Sequence, residues 1–472
     1  MQNAPHNLLL PDIPRAALPE VRNHTRYPSQ YFQMLDARDA LFHVMVSRTT
    51  YDLRPADTAQ TVAASAPDSQ QLLDAQEADA QTPLCEADEY LAFYEPASEG
   101  AAAERHAPAQ ALPSTDAEGL SLRSVYQESD FAPFKPRCDL LIVNARAWSP
   151  TVGTVATVTG RWSEADRRPS ACWPAGAQLR RADGQLLWRK VINVTGPRSL
   201  TAGVLGWKLS EPEPATSVPI RWELAFGGTN QWWPTWPLQP WTPPDDKTDV
   251  PLDFHCTTNP AGTGWATAPW RNAVMDRVRR LRAPQLEALD KPFGAHHANA
   301  ATRAAGRQPG KAGDAYSAIG LGPVGRWWLP RRASAGTYDA AWRESRWPRL
   351  PVDFDFGYWN CAPADQQIDH PVGGEWMTLV NLTPAGQTAL RLPAPDLHLR
   401  VRLRAGPVFV LPMRIDTVLL DLAAMTLTLV HRRCVAAGPD SEVRVLELGT
   451  GTGGDRPADA HEARDPAACR RP

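Results

Sequence analysis

Cysteine is scarce in this chain, and its few copies are scattered. The 472 residues include seven cysteines, an odd number, and no two of them form a Cys-x-x-Cys pair. This pattern argues against the disulfide framework of a small secreted protein and against a structural zinc site. We therefore expect a reduced, cytoplasmic protein without a bound metal or cofactor.

Long apolar runs and a strong net charge are also missing. No segment reaches the roughly 18 apolar residues that a transmembrane helix needs, so none is expected. The first ten residues carry no basic leader, and Pro11 interrupts their apolar run, which predicts the absence of a secretory signal. A net charge of −3 provides no general field that would attract nucleic acid or an anionic membrane.

The signatures of common enzyme classes are absent or incomplete. There is no Gly-x-Ser-x-Gly, His-Glu-x-x-His or Walker motif. Residues 443–454 resemble the first motif of a methyltransferase that uses S-adenosylmethionine, but we expect a last strand that runs into a tail. Residues 320–325 fit Gly-x-Gly-x-x-Gly, yet Pro323 lies inside the motif, which predicts a turn-rich connection rather than a dinucleotide loop.

Two tight His/Cys pairs are the remaining candidates for metal binding. They are His255 with Cys256, and His296 with His297. Adjacent side chains on a strand point to opposite faces, so we expect neither pair to form a chelate.

Proline and glycine are abundant, with 46 and 31 copies, which indicates many turns and few long helices. Alternating or β-branched segments predict strands at residues 43–53, 138–147, 186–194 and 398–404, and a closing meander at residues 417–422, 425–431 and 443–448. Helical patterns occur only at residues 271–282 and 338–347. The sequence therefore predicts a mainly β fold of antiparallel, sandwich-like sheets with long Trp/Pro-rich loops and few short helices.

Composition divides the chain unevenly. Residues 56–119 contain thirteen acidic residues and one arginine, which predicts an acidic, low-complexity insertion. Within it, residues 83–94 could form a short docked strand. We expect residues 1–448 to form one mainly β region, with two β lobes as an alternative, and residues 449–472 to form a flexible tail.

Tryptophan is confined to the middle of the chain, where all 18 copies lie between Trp148 and Trp376. Residues 227–244 hold four of them among prolines. Tryptophan supplies a large rigid contact area, and proline limits the entropy lost on binding. A core role and an interface role both suit such a loop. As candidate contacts with a partner we select Trp232, Trp233, Trp236, Trp241, Trp327 and Trp328.

Residues 335–367 are dense in Trp, Tyr, Phe, Pro and Asp together. Asp353 and Asp355 would share one face of a strand, and a carboxylate pair beside Trp347 and Trp359 could serve a glycoside hydrolase. Aspartates in such loops more often accept hydrogen bonds from the backbone. We expect the same structural role, bonding irregular backbone, for Asp130, Lys135, Tyr338, Asp339, Asp365 and Gln366.

Several segments in order resemble a bacterial family known only as domain of unknown function 2169. They include Ser129-Asp-Phe-Ala-Pro-Phe-Lys-Pro136, Arg221-Trp-Glu-Leu-Ala-Phe-Gly-Gly228 and Val380-Asn-Leu-Thr-Pro384. The other matching segments are residues 44–53, 88–90, 137–147, 259–264, 284–287, 322–331 and 335–367.

The resemblance implies a cytosolic accessory protein of the type VI secretion system and no catalytic residue. Such an adaptor or chaperone would bind a secreted effector, its spike protein (of the valine-glycine repeat or PAAR type), or both, and help load the effector onto the spike. Two other functions stay open at this point. One is a carbohydrate-active hydrolase that uses Asp353 and Asp355, and the other is a structural or adhesive β-protein.

Overall fold

Strands dominate the computed structural model, as the sequence predicts. It describes residues 18–56, 69–91, 125–153, 167–221, 224–225, 230–232, 252–254, 280–290, 292–294, 319–326, 331, 333–404, 406, 408–437 and 442–451. Of the described residues, 49% lie in strands and 6% in helices, which confirms the mainly β fold.

The strands, in chain order, are β1 (Glu20–Asn23), β2 (Ser29–Leu35), β3 (Leu41–Pro55), β4 (Gln71–Glu77), β5 (Glu89–Leu91), β6 (Val125–Gln127), β7 (Cys138–Val143), β8 (Arg146–Trp148), β9 (Thr151–Gly153), β10 (Arg167–Pro169), β11 (Cys172–Arg180), β12 (Leu186–Thr195), β13 (Ser199–Gly203), β14 (Gly206–Leu209), β15 (Ser217–Pro219), β16 (Asn230–Trp232), β17 (Leu252–Phe254), β18 (Arg280–Arg282), β19 (Leu286–Ala288), β20 (Gln367–Ile368), β21 (Trp376–Thr383), β22 (Gly386–Arg391), β23 (Leu397–Leu403), β24 (Val408–Pro412), β25 (Arg414–Asp421), β26 (Thr426–Ala436) and β27 (Val443–Thr450).

One sheet of twelve strands organises the structure. Its order is β19-β12-β11-β21-β22-β4-β3-β26-β25-β7-β20, with β2 also paired to β3. The long strand β3 joins several strands of this sheet, because β26 pairs along one of its edges while β2 and β4 pair with different parts of the other edge. Most pairings are antiparallel, but β4 pairs β22 and β7 pairs β25 in parallel.

Strand β4 lies inside the acidic block of residues 56–119. It is an internal strand of the large sheet, between β22 and β3, and its Leu73 is buried. The short strand expected within residues 83–94 is present as β5, paired with β6. Part of the acidic block therefore belongs to the framework of the fold.

A second sheet, in the order β1-β27-β23-β24, packs against the large one. The alternation predicted for residues 398–404 is confirmed: Leu399 and Val401 face the core, where they join Met45 of β3 and Val435 of β26. The predicted closing meander is wrong in its last step. Strands β25 and β26 pair with each other, but β27 pairs β1 and β23, because its Leu446 and Leu448 complete this separate apolar layer.

Helical structure is short. Helix α1 (Ala340–Ser345) confirms the prediction for residues 338–347, and 3-10 helices span Phe356–Trp359 and Ala364–Gln366. Most of the other predicted helix, at residues 271–282, lies outside the described residues. Its end is wrong, since β18 is a strand that pairs β13; cross-strand pairing there overrides the helical pattern.

The large sheet encloses one core. A single hydrophobic cluster joins Leu140 of β7, near one end of the strand order, to Ile192 of β12 and Leu286 of β19 at the other. Strands that are distant in the order share this cluster, so the sheet curls around it. The segment of residues 364–367 lies where the two ends approach each other.

Candidate functional site

The predicted tryptophan contacts fall mostly outside the described residues. Trp232 is the last residue of β16, which pairs with β17, and the described residues include its backbone but not its side chain. Trp233, Trp236, Trp241, Trp327 and Trp328 lie outside the described ranges. Their role as partner contacts stays a prediction. The His255–Cys256 and His296–His297 pairs also lie outside those ranges.

Residues 335–367 fold into a compact layer of loops and short helices. Asp339 caps helix α1 by accepting a hydrogen bond from the Trp342 nitrogen at 2.8 Å. The Tyr338 ring packs edge-on against Trp342, whose indole Nε1 donates to the Arg349 carbonyl at 2.8 Å. This confirms the structural role expected for Asp339, whereas Tyr338 contributes ring packing.

Asp353 and Asp355, the proposed acid pair of a hydrolase, each bind backbone. Asp353 accepts hydrogen bonds from the Thr337 nitrogen at 3.0 Å and the Thr337 hydroxyl at 2.7 Å. These bonds lower the pKa of Asp353 below its usual value. Asp355 caps the helix Phe356–Trp359 by accepting from the Gly357 nitrogen at 2.7 Å. A general acid needs a raised pKa, which Asp353 does not have.

An aromatic cluster packs within this layer. Phe354 meets Phe356 and Tyr358 in edge-to-face contacts, with ring centroids 5.3 and 5.8 Å apart. The Arg326 guanidinium lies 5.0 Å from the centre of the Trp359 ring. Such contacts add about 0.5–1.5 kcal/mol per aromatic pair beyond the area that they bury.

Beneath the layer, a fully buried carboxylate organises residues 360–362. Asp139 of β7 accepts from Lys135 Nζ at 2.8 Å, from Asn360 Nδ2 at 2.9 Å, and from the Cys361 and Ala362 nitrogens at 3.0 Å. Burial raises the pKa of Asp139, but Lys135 and these hydrogen bonds outweigh burial and hold it below its usual value. Lys135 is thus structural, but it bonds the side chains of Asp139 and Thr417, where the sequence predicts a bond to irregular backbone.

The buried thiol beside this carboxylate is a poor nucleophile. Cys361 Sγ lies 3.5 Å from Asp139 Oδ2 and is 3% exposed. Burial, together with the negative charge of Asp139, raises the pKa of the Cys361 thiol far above its usual value. A thiolate is the reactive form of cysteine, so this environment keeps Cys361 inert.

Other buried charges also serve the framework. Asp130 pairs with Arg48 at 3.0 Å and accepts from the Cys85 nitrogen at 2.8 Å. Arg331 pairs with Glu128, and Arg432 pairs with Asp416 at 2.5 Å. Within the described ranges, no group of three or more His, Cys, Asp or Glu side chains is arranged to hold a metal ion.

Asp365 and Gln366 join the two ends of the large sheet. Lys190 of β12 donates to Asp365 Oδ1 at 2.9 Å and to Gln366 Oε1 at 2.8 Å. Gln366 Nε2 in turn donates to the carbonyls of Leu140 and Leu321, at 2.8 and 2.7 Å. Leu321 lies in the Gly-x-Gly-x-x-Gly segment, which is a bent connection as predicted. Burial lowers the pKa of Lys190, and Asp365 opposes that shift.

An open groove lies on the surface next to this junction. We call it the arginine groove. It has a volume of about 590 Å³ and lies between the β11–β12 turn and the loop that precedes β21. Its lining includes Arg137, Arg181, Trp188, Val372, Glu375 and Arg391. No local sequence pattern indicates this site, because its arginines come from segments that only the sheet brings together.

Within the groove, the charged groups differ in their partners. Arg137 pairs with the exposed Asp369 at 2.5 Å. Arg391 Nε donates to the Gly374 carbonyl at 3.2 Å. Glu375 is 4% exposed; one of its oxygens accepts from the Val372 nitrogen at 2.9 Å, and the other has no hydrogen-bond partner. The groove therefore presents guanidinium groups and the carboxylates of Asp183 and Asp369 to solvent, whereas the Glu375 carboxylate in the same lining is buried.

Comparison with protein families shows which family the chain belongs to. Residues 89–432 match the model of a family described as an uncharacterized protein conserved in bacteria (DUF2169). The chain belongs to this family. The match spans the loop layer, the arginine groove and most of the large sheet, so these features lie within the family domain. No curated protein and no solved structure matches the chain.

Among the described residues, no helix has the length and apolar character needed to cross a bilayer.

Proposed function

We propose that this protein is a non-enzymatic adaptor-chaperone that binds a type VI secretion effector, keeps it soluble and helps load it onto the secretion spike. Family membership supports the proposal through the accessory role that the resemblance implies. The direct partner would be the effector, its spike protein or both.

The hydrogen bonds of Asp353 and Asp355 are the main support for the proposal. These were the strongest catalytic candidates in the sequence, and both accept hydrogen bonds from the backbone of their own loop layer. A hydrolase of this type needs one carboxylic acid with a raised pKa, whereas the pKa of Asp353 is lowered. Residues 335–367 are therefore better suited to shaping a rigid surface than to acid–base chemistry.

Exposed apolar side chains also favour a binding role. Val204 and Leu205 form the tip of the β13–β14 hairpin and are 104% and 99% exposed. Val352 in the loop layer is 75% exposed. Single exposed apolar residues are ordinary, but a hairpin tip normally carries glycine or polar residues, so two large apolar residues there suit contact with a protein.

Co-expression with the effector encoded beside this protein tests the proposal. We expect the effector to be soluble, to co-purify with the chain and to be secreted only when the chain is present. An effector that is equally soluble and equally secreted without it would contradict the proposal.

A second test addresses the predicted tryptophan contacts. Replacing Trp232, Trp233, Trp236 and Trp241 together by alanine should reduce co-purification of the effector by at least about ten-fold, as expected for loss of aromatic anchors. Trp347→Ala is the matched control, since it removes a half-exposed tryptophan from the loop layer. Equal losses in both variants would argue against the Trp/Pro segment as the contact.

A further inference from the structure

The arginine groove contains two cations that form no ion pair with the described residues. Arg181 and Arg391 are exposed, on opposite sides of the groove. In the part of the chain that the structure describes, the Arg181 guanidinium makes no hydrogen bond or ion pair, and Arg391 makes one bond, through Nε. Both retain guanidinium N–H groups that can bind a carboxylate in a two-pronged manner.

The sheet sets the distance between these two cations. Arg180 is opposite Trp376 in the β11–β21 pair, and Trp376 is opposite Arg391 in the β21–β22 pair. Arg181 follows Arg180, so its backbone and that of Arg391 are separated by two strand spacings, about 10 Å. In an extended peptide, side chains on one face repeat about every 7 Å. Two long arginine side chains can therefore reach two successive carboxylates on one face of such a peptide.

The remaining walls suit the apolar residues of the same peptide. Val372 is 84% exposed, and Leu187 and Trp188 line the opposite side. Trp188 is anchored through its Nε1, which donates to the Asp365 carbonyl at 2.6 Å, so this wall is rigid. A volume of about 590 Å³ accommodates a short extended segment rather than a folded element.

We propose that the arginine groove binds an extended, acidic segment of a protein partner, with one side-chain carboxylate against Arg181, a second against Arg391, and apolar residues against Val372 and Leu187. The identification of that partner as a secretion effector rests on the function proposed above. The binding site itself does not.

Glu375 distinguishes binding of an acidic segment from the main alternative, which is binding of a basic segment. The unpartnered oxygen of Glu375 would attract a lysine or arginine, but the side chain is almost entirely buried. The exposed charged side chains of the lining are Arg137, Arg181, Arg391, Asp183 and Asp369, and Asp369 is paired with Arg137, so arginines outnumber exposed carboxylates by one. Replacing Glu375 by glutamine removes a negative charge near the carboxylates of an acidic peptide, so it should strengthen acidic binding, whereas it should abolish basic binding.

The first experiment uses the full-length protein and a fluorescein-labelled hexapeptide of alternating valine and glutamate with an amidated C-terminus. Fluorescence polarisation measures the affinity, with matching valine–glutamine and valine–lysine peptides as probes of charge. We expect the glutamate peptide to bind best and its affinity to fall with added salt. Equal binding of all three peptides, or no binding of the glutamate peptide, would overturn the proposal.

Variants test the residues. Arg181→Glu with Arg391→Glu should weaken binding of the glutamate peptide by at least about ten-fold, and Arg181→Gln with Arg391→Gln should weaken it less. The matched control, Arg400→Glu with Arg402→Glu on the outer face of β23, should leave it unchanged. Thermal unfolding confirms that each variant is folded. Unchanged affinity in the groove variants, or preference for the lysine peptide that Glu375→Gln abolishes, would refute the acidic-segment assignment.

Two further arms identify the source of the carboxylates and separate this proposal from the adaptor function. A valine–glutamine peptide with a free C-terminus should bind weakly. If it binds as tightly as the glutamate peptide, the groove recognises one terminal carboxylate and not two side-chain carboxylates. If the glutamate peptide binds but no effector co-purifies, the proposed peptide site is supported and the adaptor function is contradicted. If the effector co-purifies equally with Arg181→Glu and Arg391→Glu in place, the adaptor function stands and the groove is not its contact.

Discussion

Buried polar side chains in this protein obtain their partners from distant parts of the chain. Asp139 is bonded by residues 360–362, and Arg432 reaches both Asp416 and the Asp130 carbonyl. Leaving one such group without its partner costs about 1–3 kcal/mol or more, so these residues constrain which loops can lie over the sheet. The sequence predicts a structural role for Asp130 and Gln366, and their contacts confirm it.

Asp353 should matter for stability and not for effector binding. Asp353→Ala removes two hydrogen bonds to Thr337, so we expect a loss of about 1 kcal/mol in the free energy of unfolding. Urea unfolding measures the loss, and co-purification of the effector should be unchanged. If Asp353→Asn instead abolished a glycoside-hydrolase activity of the folded protein, the non-enzymatic function would be wrong.

His431 should make the protein less stable in mild acid. Burial lowers the pKa of His431 from 6.5 to about 4, with a smaller opposing effect of Asp416. Between pH 4 and pH 6.5, His431 binds a proton in the unfolded chain but not in the folded chain. The free energy of unfolding therefore falls as the pH drops through 6.5. The loss from pH 7 to pH 5 should be about 2 kcal/mol.

Urea unfolding at the two pH values measures this dependence. In His431→Gln, the difference between pH 7 and pH 5 should shrink by that amount, while His398→Gln, at a half-exposed histidine, should keep it. An unchanged pH dependence in His431→Gln would assign the acid sensitivity to other groups, such as His43, whose pKa burial also lowers.

At the scale of elements, local patterns located the strands but not all of their partners. The alternation of arginine with leucine and valine predicts β23 because one face of that strand is buried and the other is solvated. Strand β4 has no such signal, since its composition is acidic, and it is held by pairing with β3 and β22. Pairing is a tertiary interaction, so it can recruit a segment whose own preference is weak.

Gly176 should be essential to the pairing of β11 with β12. A Cβ atom at this position would lie 2.7 Å from the Val191 Cα and would overlap the Lys190 carbonyl oxygen. We expect Gly176→Ala to lower the free energy of unfolding by at least about 2 kcal/mol, because the strands must separate. Gly322→Ala is the matched control, since its nearest neighbours are 3.9 Å away. Similar stability of both variants by urea unfolding would contradict this account.

At the scale of the whole molecule, the curled sheet depends on the junction at residues 365–366. Lys190 and Leu140 lie on strands near opposite ends of the sheet order, and Gln366 bonds both. The same junction supports the arginine groove, because Trp188 and Gln367 line it. Stability and the shape of the proposed binding site are therefore linked.

Gln366→Ala tests this link. The change removes three buried hydrogen bonds, those of Gln366 with the carbonyls of Leu140 and Leu321 and with Lys190 Nζ, so we expect a loss of about 2–4 kcal/mol in the free energy of unfolding. Affinity for the acidic peptide should fall as well. Gln367→Ala, which removes one bond to the Ala362 carbonyl, should cost about 1 kcal/mol or less. Equal costs for the two variants would show that the junction is not special.

The sequence by itself determined the mainly β fold, the positions of most strands, helix α1 and the family. These depend on local alternation, turn residues and segment order, all of which can be read along the chain. Only the tertiary structure decided that β27 joins the second sheet, that β4 lies inside the first, and that Asp353 and Asp355 cap backbone. It alone brought Arg181 and Arg391 to one groove, because strand pairing joins residues that no local pattern connects.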